Sequence, residues 1–247
     1  MIDVVRRDRV VHLVINAPPV NVLDAAILGE LVERLGELEA DETLAAVVLS
    51  GEGRCFSAGA SVVEHKQEQA DGMLRALNDA CLALPAFPAP VVAAVHGACL
   101  GGAMELISFC DFVIGAPDAV LGQPEIKLGF FPPVAVHQLP RLTGLQNAAY
   151  AILSGDNIDA EQAQAMGLVQ KILPRDEWSE IDALFNGLSA PVLRITKQAL
   201  AKSLTEGCAE RLDAFKALFM SELYRLEDVA EGIKSFEERR PPEWKHR

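Results

Sequence analysis

The 247-residue chain has no CxxC pair, no HxxxH pair, no Gly-Lys-Ser/Thr phosphate loop and no apolar run long enough to span a bilayer. Each absence removes a class of function. Its five cysteines (Cys55, Cys81, Cys99, Cys110, Cys208) are odd in number and far apart. They read as small buried apolar side chains in a reducing compartment, not as a disulfide framework or a zinc site. The five histidines, at 12, 65, 96, 137 and 246, are isolated, so no metal site is expected and each reads as a surface or satisfied core histidine. The apolar stretch over residues 89–104 is broken by Pro90, three glycines and His96, too short and too interrupted for a membrane span. Charges at positions 3, 6, 7, 8 and 9 leave no room for the apolar stretch of a secretory signal, which points to the cytoplasm.

Basic residues are also scarce. Against 35 Asp and Glu stand 22 Lys and Arg, a net charge of −13. That balance argues against nucleic acid or an anionic membrane as partner, since both reward clustered cations. It does not exclude a small anionic ligand, because residues 231–247 hold five cations against four carboxylates. A few well-placed cations and helix N-termini can bind an anion whatever the total. Half the residues are apolar, enough to build the core of one large domain, with or without an appended helical piece.

What is present alternates between short strands and helices. Residues 2–6 and 10–15, split by Arg7-Asp8-Arg9, predict a hairpin. Asp24 stands before a helix-periodic segment (Ile27, Leu28, Leu31, Leu35, Leu38), the pattern of a capped amphipathic helix. A compact apolar strand follows over residues 44–49. A glycine loop, Phe56-Ser-Ala-Gly-Ala60, then leads into a helix predicted over 61–84 and stopped by Pro85, Pro88 and Pro90. The unit recurs as a strand at 91–95, a glycine turn at 96–102 and a short helix at 103–109, with further strands at 111–114 and 120–121. Strand signals cease after 169–173, and residues 175–239 predict three helices, one opened by Ser189-Ala190-Pro191. The chain is therefore of the α/β class, with a boundary near Pro174 between a 1–174 core and a 175–247 helical region.

Common catalytic motifs fail on inspection. Gly97-x-x-x-Gly101-Gly102 lacks dinucleotide-turn spacing, and Cys55-Phe-Ser57-Ala-Gly59 lacks the first glycine of a nucleophile elbow. What remains is a pair of small-residue turns, Ala58-Gly59-Ala60 and Gly101-Gly102, each after a strand and before a helix. Unpaired N–H groups at helix starts can converge as an oxyanion hole, or the turns can simply be tight connections. Glu105 and Glu125 sit in apolar company, where a raised pKa suits a carboxyl to proton transfer. A salt bridge from Glu125 to Lys127 or Arg141, and helix-end charge complementarity for Glu105, explain them equally well from these residues alone.

Two stretches resolve the ambiguity. Residues 47–60 (VVLSGEGRCFSAGA) and 94–106 (AVHGACLGGAMEL) together resemble the crotonase, or enoyl-CoA hydratase/isomerase, superfamily. Pro19-Val-Asn21-Val-Leu23, Phe109-Cys-Asp111, Gly122-Gln-Pro-Glu-Ile126 and residues 189–197 support the resemblance, which covers about residues 2–240. It implies a spiral of repeated ββα units with a C-terminal helical trimerisation region, and a homotrimer or homohexamer. Ala60 and Gly102 would supply the oxyanion hole for an acyl-CoA thioester. Ala58, Ser61, Val62 and Val63 would line the coenzyme, with Phe236 and Arg239 reaching it from the tail, often of a neighbouring subunit. Glu105 and Glu125 match the family's two catalytic glutamates, and family isomerases typically keep only the second. The implied activity is an enoyl-CoA hydratase, a hydro-lyase, adding water syn across the double bond, with Glu105 activating the water and Glu125 protonating Cα. Coenzyme A is part of the substrate, and no metal or redox cofactor is implied.

Departures from the family pattern bear on the acyl group. The usual glycine-rich turn after the second glutamate reads Gly129-Phe-Phe-Pro-Pro-Val-Ala-Val-His137, giving a stiff pocket wall from Phe131, Pro133 and Val134. This variant resembles the branch of cyclic dienoyl-CoA hydratases. Ser61 stands where many members have Asp, and both residue types can cap a helix. Val63 stands where some have a CoA-contacting Lys. The competing readings are an isomerase or C–C-cleaving member with Glu105 as bystander, and a non-catalytic acyl-CoA-binding subunit.

Overall fold

The computed structural model describes residues 1–205 and 207–243, apart from the side chains of 201–205, 218 and 223. The last four residues of the predicted helical region thus lie outside the described residues. Strands β1 (Ile2–Arg7) and β2 (Val10–Ile15) form the expected antiparallel hairpin. Helix α1 (Ala25–Leu38) follows, with the Asp24 carboxylate accepting from Ile27 N at 2.8 Å as a cap does. Then come β3 (Ala46–Gly51), α2 (Gln67–Ala86), β4 (Val91–Val95), β5 (Ala98–Leu100), α3 (Gly102–Ile107), β6 (Phe112–Gly115) and β7 (Val120–Gly122). Helices α4 (Pro133–Thr143) and α5 (Leu145–Ser154) lead to β8 (Ile158–Asp159), α6 (Ala160–Ala165) and β9 (Lys171–Ile172).

The strands divide between two sheets. One runs β1-β2-β3-β4-β6-β9, parallel after the hairpin, and the other β5-β7-β8. Consecutive strands go to different sheets: β4 to the large and β5 to the small, then β6 and β7 likewise. A bridge from Ser57 to Cys99 carries the segment after β3 onto the small sheet in the same way. This is the ββα spiral expected from the resemblance.

Period-2 alternation splits the core across the large sheet. Val47, Leu49, Val91, Ala93 and Val95 pack with α1 and α2 on one face. Val48, Val92 and Ala94 pack on the other, with Ile181 and Phe185 of α7 (Ser179–Asn186). Helix α8 (Ala190–Thr205) is pinned by Lys197, only 3% exposed, whose ammonium pairs with Asp111 at 2.8 Å and donates to the carbonyls of Leu84 and Ala89. The cysteines are all free thiols. No described helix is long and apolar enough to cross a membrane.

Three expectations change. The second helix begins at Gln67 rather than Ser61, because the Ser61 N–H is held by the Leu23 carbonyl and residues Val63–His65 form a 3-10 turn. Ser61 therefore does not cap α2. Pro85 is accommodated in the last helical turn, and the chain becomes extended at Phe87, the residue before Pro88. Among the described residues, the region after Pro174 holds four α-helices instead of three. Residues 212–236 are divided between α9 (Cys208–Glu222) and α10 (Glu227–Glu238) by a 3-10 turn at Leu223–Arg225 and an extended Leu226.

Candidate active site

The first element of the site is a pair of amide N–H groups. In the bridge between Leu23 and Ala60, Leu23 N donates to Gly59 O at 2.9 Å and Ser61 N to Leu23 O at 3.1 Å. The N–H of Ala60 itself therefore points away from the bridge, with no acceptor among the described residues. Gly102 opens α3, so its N–H has no partner within the helix. The two amides are neighbours: a Cβ built on Gly102 would lie 3.3 Å from Ala60 N and 3.0 Å from Ala60 Cβ. Any larger residue at 102 would fill the gap between them.

Glu105 lies one turn further along α3, and its side chain leans back toward the helix start. It is buried, 2% exposed. Its Oε1 accepts from Val134 N at 2.9 Å and Ala135 N at 2.8 Å, the first N–H groups of α4. Pro132 and Pro133 explain why: neither has an N–H, so the double proline starts the helix and leaves the next two amides to hold the carboxylate. Burial pushes the Glu105 carboxyl up to about 7, against the opposing pull of those two amides.

Glu125 comes from the other sheet. It lies on a 3-10 turn, Pro124–Leu128, directly after β7. The buried Gln123 amide donates from its nitrogen to the Glu125 oxygens, at 3.2 Å and 3.0 Å. Gly101, with φ +51°, makes room: a Cβ there would lie 2.6 Å from Glu125 Oε1. Burial first, and then the nearby Glu105 charge, push the Glu125 carboxyl well above the ordinary carboxylate range. The salt-bridge explanation loses its first partner, because Lys127 pairs with Asp156 at 3.5 Å.

Both carboxyls, Ala60 and Gly102 line one narrow pocket. Phe131 and Pro133 line it as expected, joined by Pro132. Val134 reaches the site through its N–H, while its side chain lies in the main core. Ala58, Ser61, Val62 and Val63, neighbours of Ala60 in the chain, do not line the pocket, and Val63 is 59% exposed. Phe236 and Arg239 are not brought to the glutamates. They border a separate depression with Lys127, Leu128 and Arg240.

Sequence reasoning missed three kinds of lining residue. Met73, Leu74 and Leu77 come from the buried face of α2, and Phe219 comes from α9. His65 also lines the pocket, its ring edge-on to Phe130 at 5.3 Å between centroids. Gln123, quoted only as part of a motif, holds Glu125. Nothing in local periodicity marks any of these, since each depends on which distant helix covers the site. No cluster of His, Cys, Asp and Glu among the described residues could hold a metal ion.

The chain is similar to known proteins over nearly its whole length. The family described as "Enoyl-CoA hydratase/isomerase" matches residues 6–247. The chain is 34% identical to cyclohexa-1,5-dienecarbonyl-CoA hydratase of Thauera aromatica, over 98% of this chain and 95% of that protein. It is also 34% identical to 2,3-dehydroadipyl-CoA hydratase of Escherichia coli (strain K12), over 98% and 97%. An enoyl-CoA hydratase crystal structure from Mycobacterium avium subsp. paratuberculosis K-10 superposes with a TM-score of 0.86 at 27% identity, covering 99% of this chain and 98% of that one.

Proposed function

The chain belongs to the enoyl-CoA hydratase/isomerase family and is an enoyl-CoA hydratase, and from that premise we propose how its residues divide the work. The N–H groups of Ala60 and Gly102 receive the thioester oxygen. Water held at the Glu105 carboxylate attacks Cβ and gives its proton to Glu105. Charge gathering on the thioester oxygen is stabilised by the two amides, each contributing about 3 kcal/mol in comparable sites. The neutral Glu125 carboxyl delivers its proton to Cα. One hydroxyl and one proton are thereby added, and the proton left on Glu105 must return to Glu125 before the next cycle. The reaction as written needs no metal or redox cofactor, coenzyme A being part of the substrate.

The observation that carries this reading is the pairing of two carboxyls in unlike surroundings beside two unpartnered amides. A base should be ionised and an acid protonated near the working pH. Glu105, steadied by two amides, is the easier of the two to ionise. Glu125, facing that charge, keeps its proton. An isomerase needs only one such group.

The flat wall of Phe131, Pro132 and Pro133 favours a planar unsaturated acyl group, and the Thauera relative supports a cyclic dienoyl-CoA as a narrower reading. Exposed Leu188, Val192 and Ile195 around the start of α8 support assembly as a homotrimer or homohexamer, and five free cysteines support a reducing compartment, the cytoplasm. The test is a hydration assay on crotonyl-CoA, cyclohexadienecarbonyl-CoA and dehydroadipyl-CoA. Formation of a β-hydroxyacyl-CoA is expected, with the cyclic substrate preferred if the narrower reading holds. Double-bond migration without hydration would refute the division of labour.

A further inference from the structure

Three polar side chains line the pocket, and hydration uses two of them. The third is His65. Its Nδ1 lies 2.8 Å from the Ser61 carbonyl oxygen. A carbonyl has no proton to give, so Nδ1 carries the hydrogen and donates it. In a neutral ring this leaves Nε2 with a lone pair, an acceptor.

The ring is held in that state from several sides. The Tyr224 hydroxyl donates to the His65 backbone carbonyl, and the ring packs against Phe130 and, at 6.5 Å, Phe219. Burial among these rings lowers its basicity and keeps it uncharged. Nε2 makes no hydrogen bond to a described residue. The other side chains lining this pocket, Glu105 and Glu125 aside, are apolar.

A fixed acceptor selects by chemistry. A substrate carboxylate brings only lone pairs, and Glu105 adds further negative charge to the same pocket. A plain hydrocarbon chain would strip water from Nε2 and return no hydrogen bond. A hydroxyl supplies the missing proton.

We propose that His65 is a specificity-determining residue whose Nε2 accepts a hydrogen bond from a hydroxyl on the acyl group, so that, for a given carbon skeleton, the hydroxylated enoyl-CoA is preferred over its unhydroxylated counterpart. The proposal rests on the hydratase reading and narrows it. The full-length protein is assayed with hexenoyl-CoA, its chain-hydroxylated counterparts and dehydroadipyl-CoA, as wild type, His65→Phe and His65→Gln. In the wild type, kcat/KM is expected to favour a hydroxylated substrate by about tenfold or more, mostly through KM. His65→Phe should bring that ratio to about one, while His65→Gln, which keeps an acceptor oxygen, should retain part of it. Equal ratios in wild type and His65→Phe, or a preference for dehydroadipyl-CoA, would overturn the proposal. If the Phe variant does not fold, a wild-type ratio near one overturns the proposal by itself, and a ratio in His65→Gln equal to that of the wild type or below one overturns the assignment to His65. Failure of the wild type to hydrate even crotonyl-CoA would instead strike the hydratase reading itself.

Discussion

Glu105 and Glu125 face one pocket from two kinds of backbone. Glu105 projects from α3 into the start of α4, where two main-chain amides fix its Oε1. Glu125 sits on a short 3-10 turn, and one side-chain amide, from Gln123, reaches its oxygens. Both are pushed up by burial, but only Glu125 has its neighbour's charge among the causes raising it. Two identical side chains thus acquire opposite proton habits from what surrounds them. Amide donors favour the ionised form, and a nearby negative charge favours the protonated form.

The largest test of that contrast is Glu125→Gln. It keeps the size of the group and removes its proton, and crotonyl-CoA hydration should fall by about 10³-fold in kcat. The same variant sharpens the contrast through stability. Because the folded carboxyl titrates above its ordinary value of 4.5, folding holds a proton that the unfolded chain has released. Its contribution is therefore complete at acid pH and drains away as pH rises. Wild-type Tm should fall as pH climbs above the ordinary carboxylate range, Glu105 adding its own share of the fall up to about 7, and the fall should be shallower in Glu125→Gln. A steeper fall in the variant would reverse the assignment.

A smaller effect is expected from Gly101→Ala. Its methyl would stand 2.6 Å from Glu125 Oε1 on a backbone with φ +51°, while the amides that hold the Glu105 carboxylate lie elsewhere, on α4. Displacing the acid by such an amount should cost about 10²-fold in kcat, and Tm should drop with the backbone strain. Wild-type activity in this variant would show that the position of Glu125 is not critical. The smallest effect belongs to Lys127→Ala. That lysine pairs with Asp156 across an exposed surface, so hydration should stay within about twofold of wild type with an unchanged pH profile. A shifted profile would mean that Lys127 acts on Glu125 after all.

How much of this was legible in the sequence depends on how local the cause is. The Asp24 cap, the β1–β2 hairpin and the apolar strands follow from patterns within a few residues, and the structure has them where the patterns are. Glu105, Glu125, Ala60 and Gly102 were marked by motif and do converge. The late start of α2 was not legible, because the Leu23 carbonyl that holds Ser61 is far away in the chain. Pro132 and Pro133 read as a rigid wall. Their second role, clearing the way for the Val134 and Ala135 amides, exists only once α4 meets α3. His65 carried no signal at all, since its meaning lies in the Ser61 carbonyl and in aromatic rings from distant segments.

The central claim is that both carboxyls are needed because water must be activated at one and a proton delivered from the other. Hydration of crotonyl-CoA by Glu105→Gln tests it most directly. The account predicts a loss of about 10³-fold or more in kcat, with the folded protein still binding the substrate. A rate within a few-fold of wild type would make Glu105 a bystander and contradict the account.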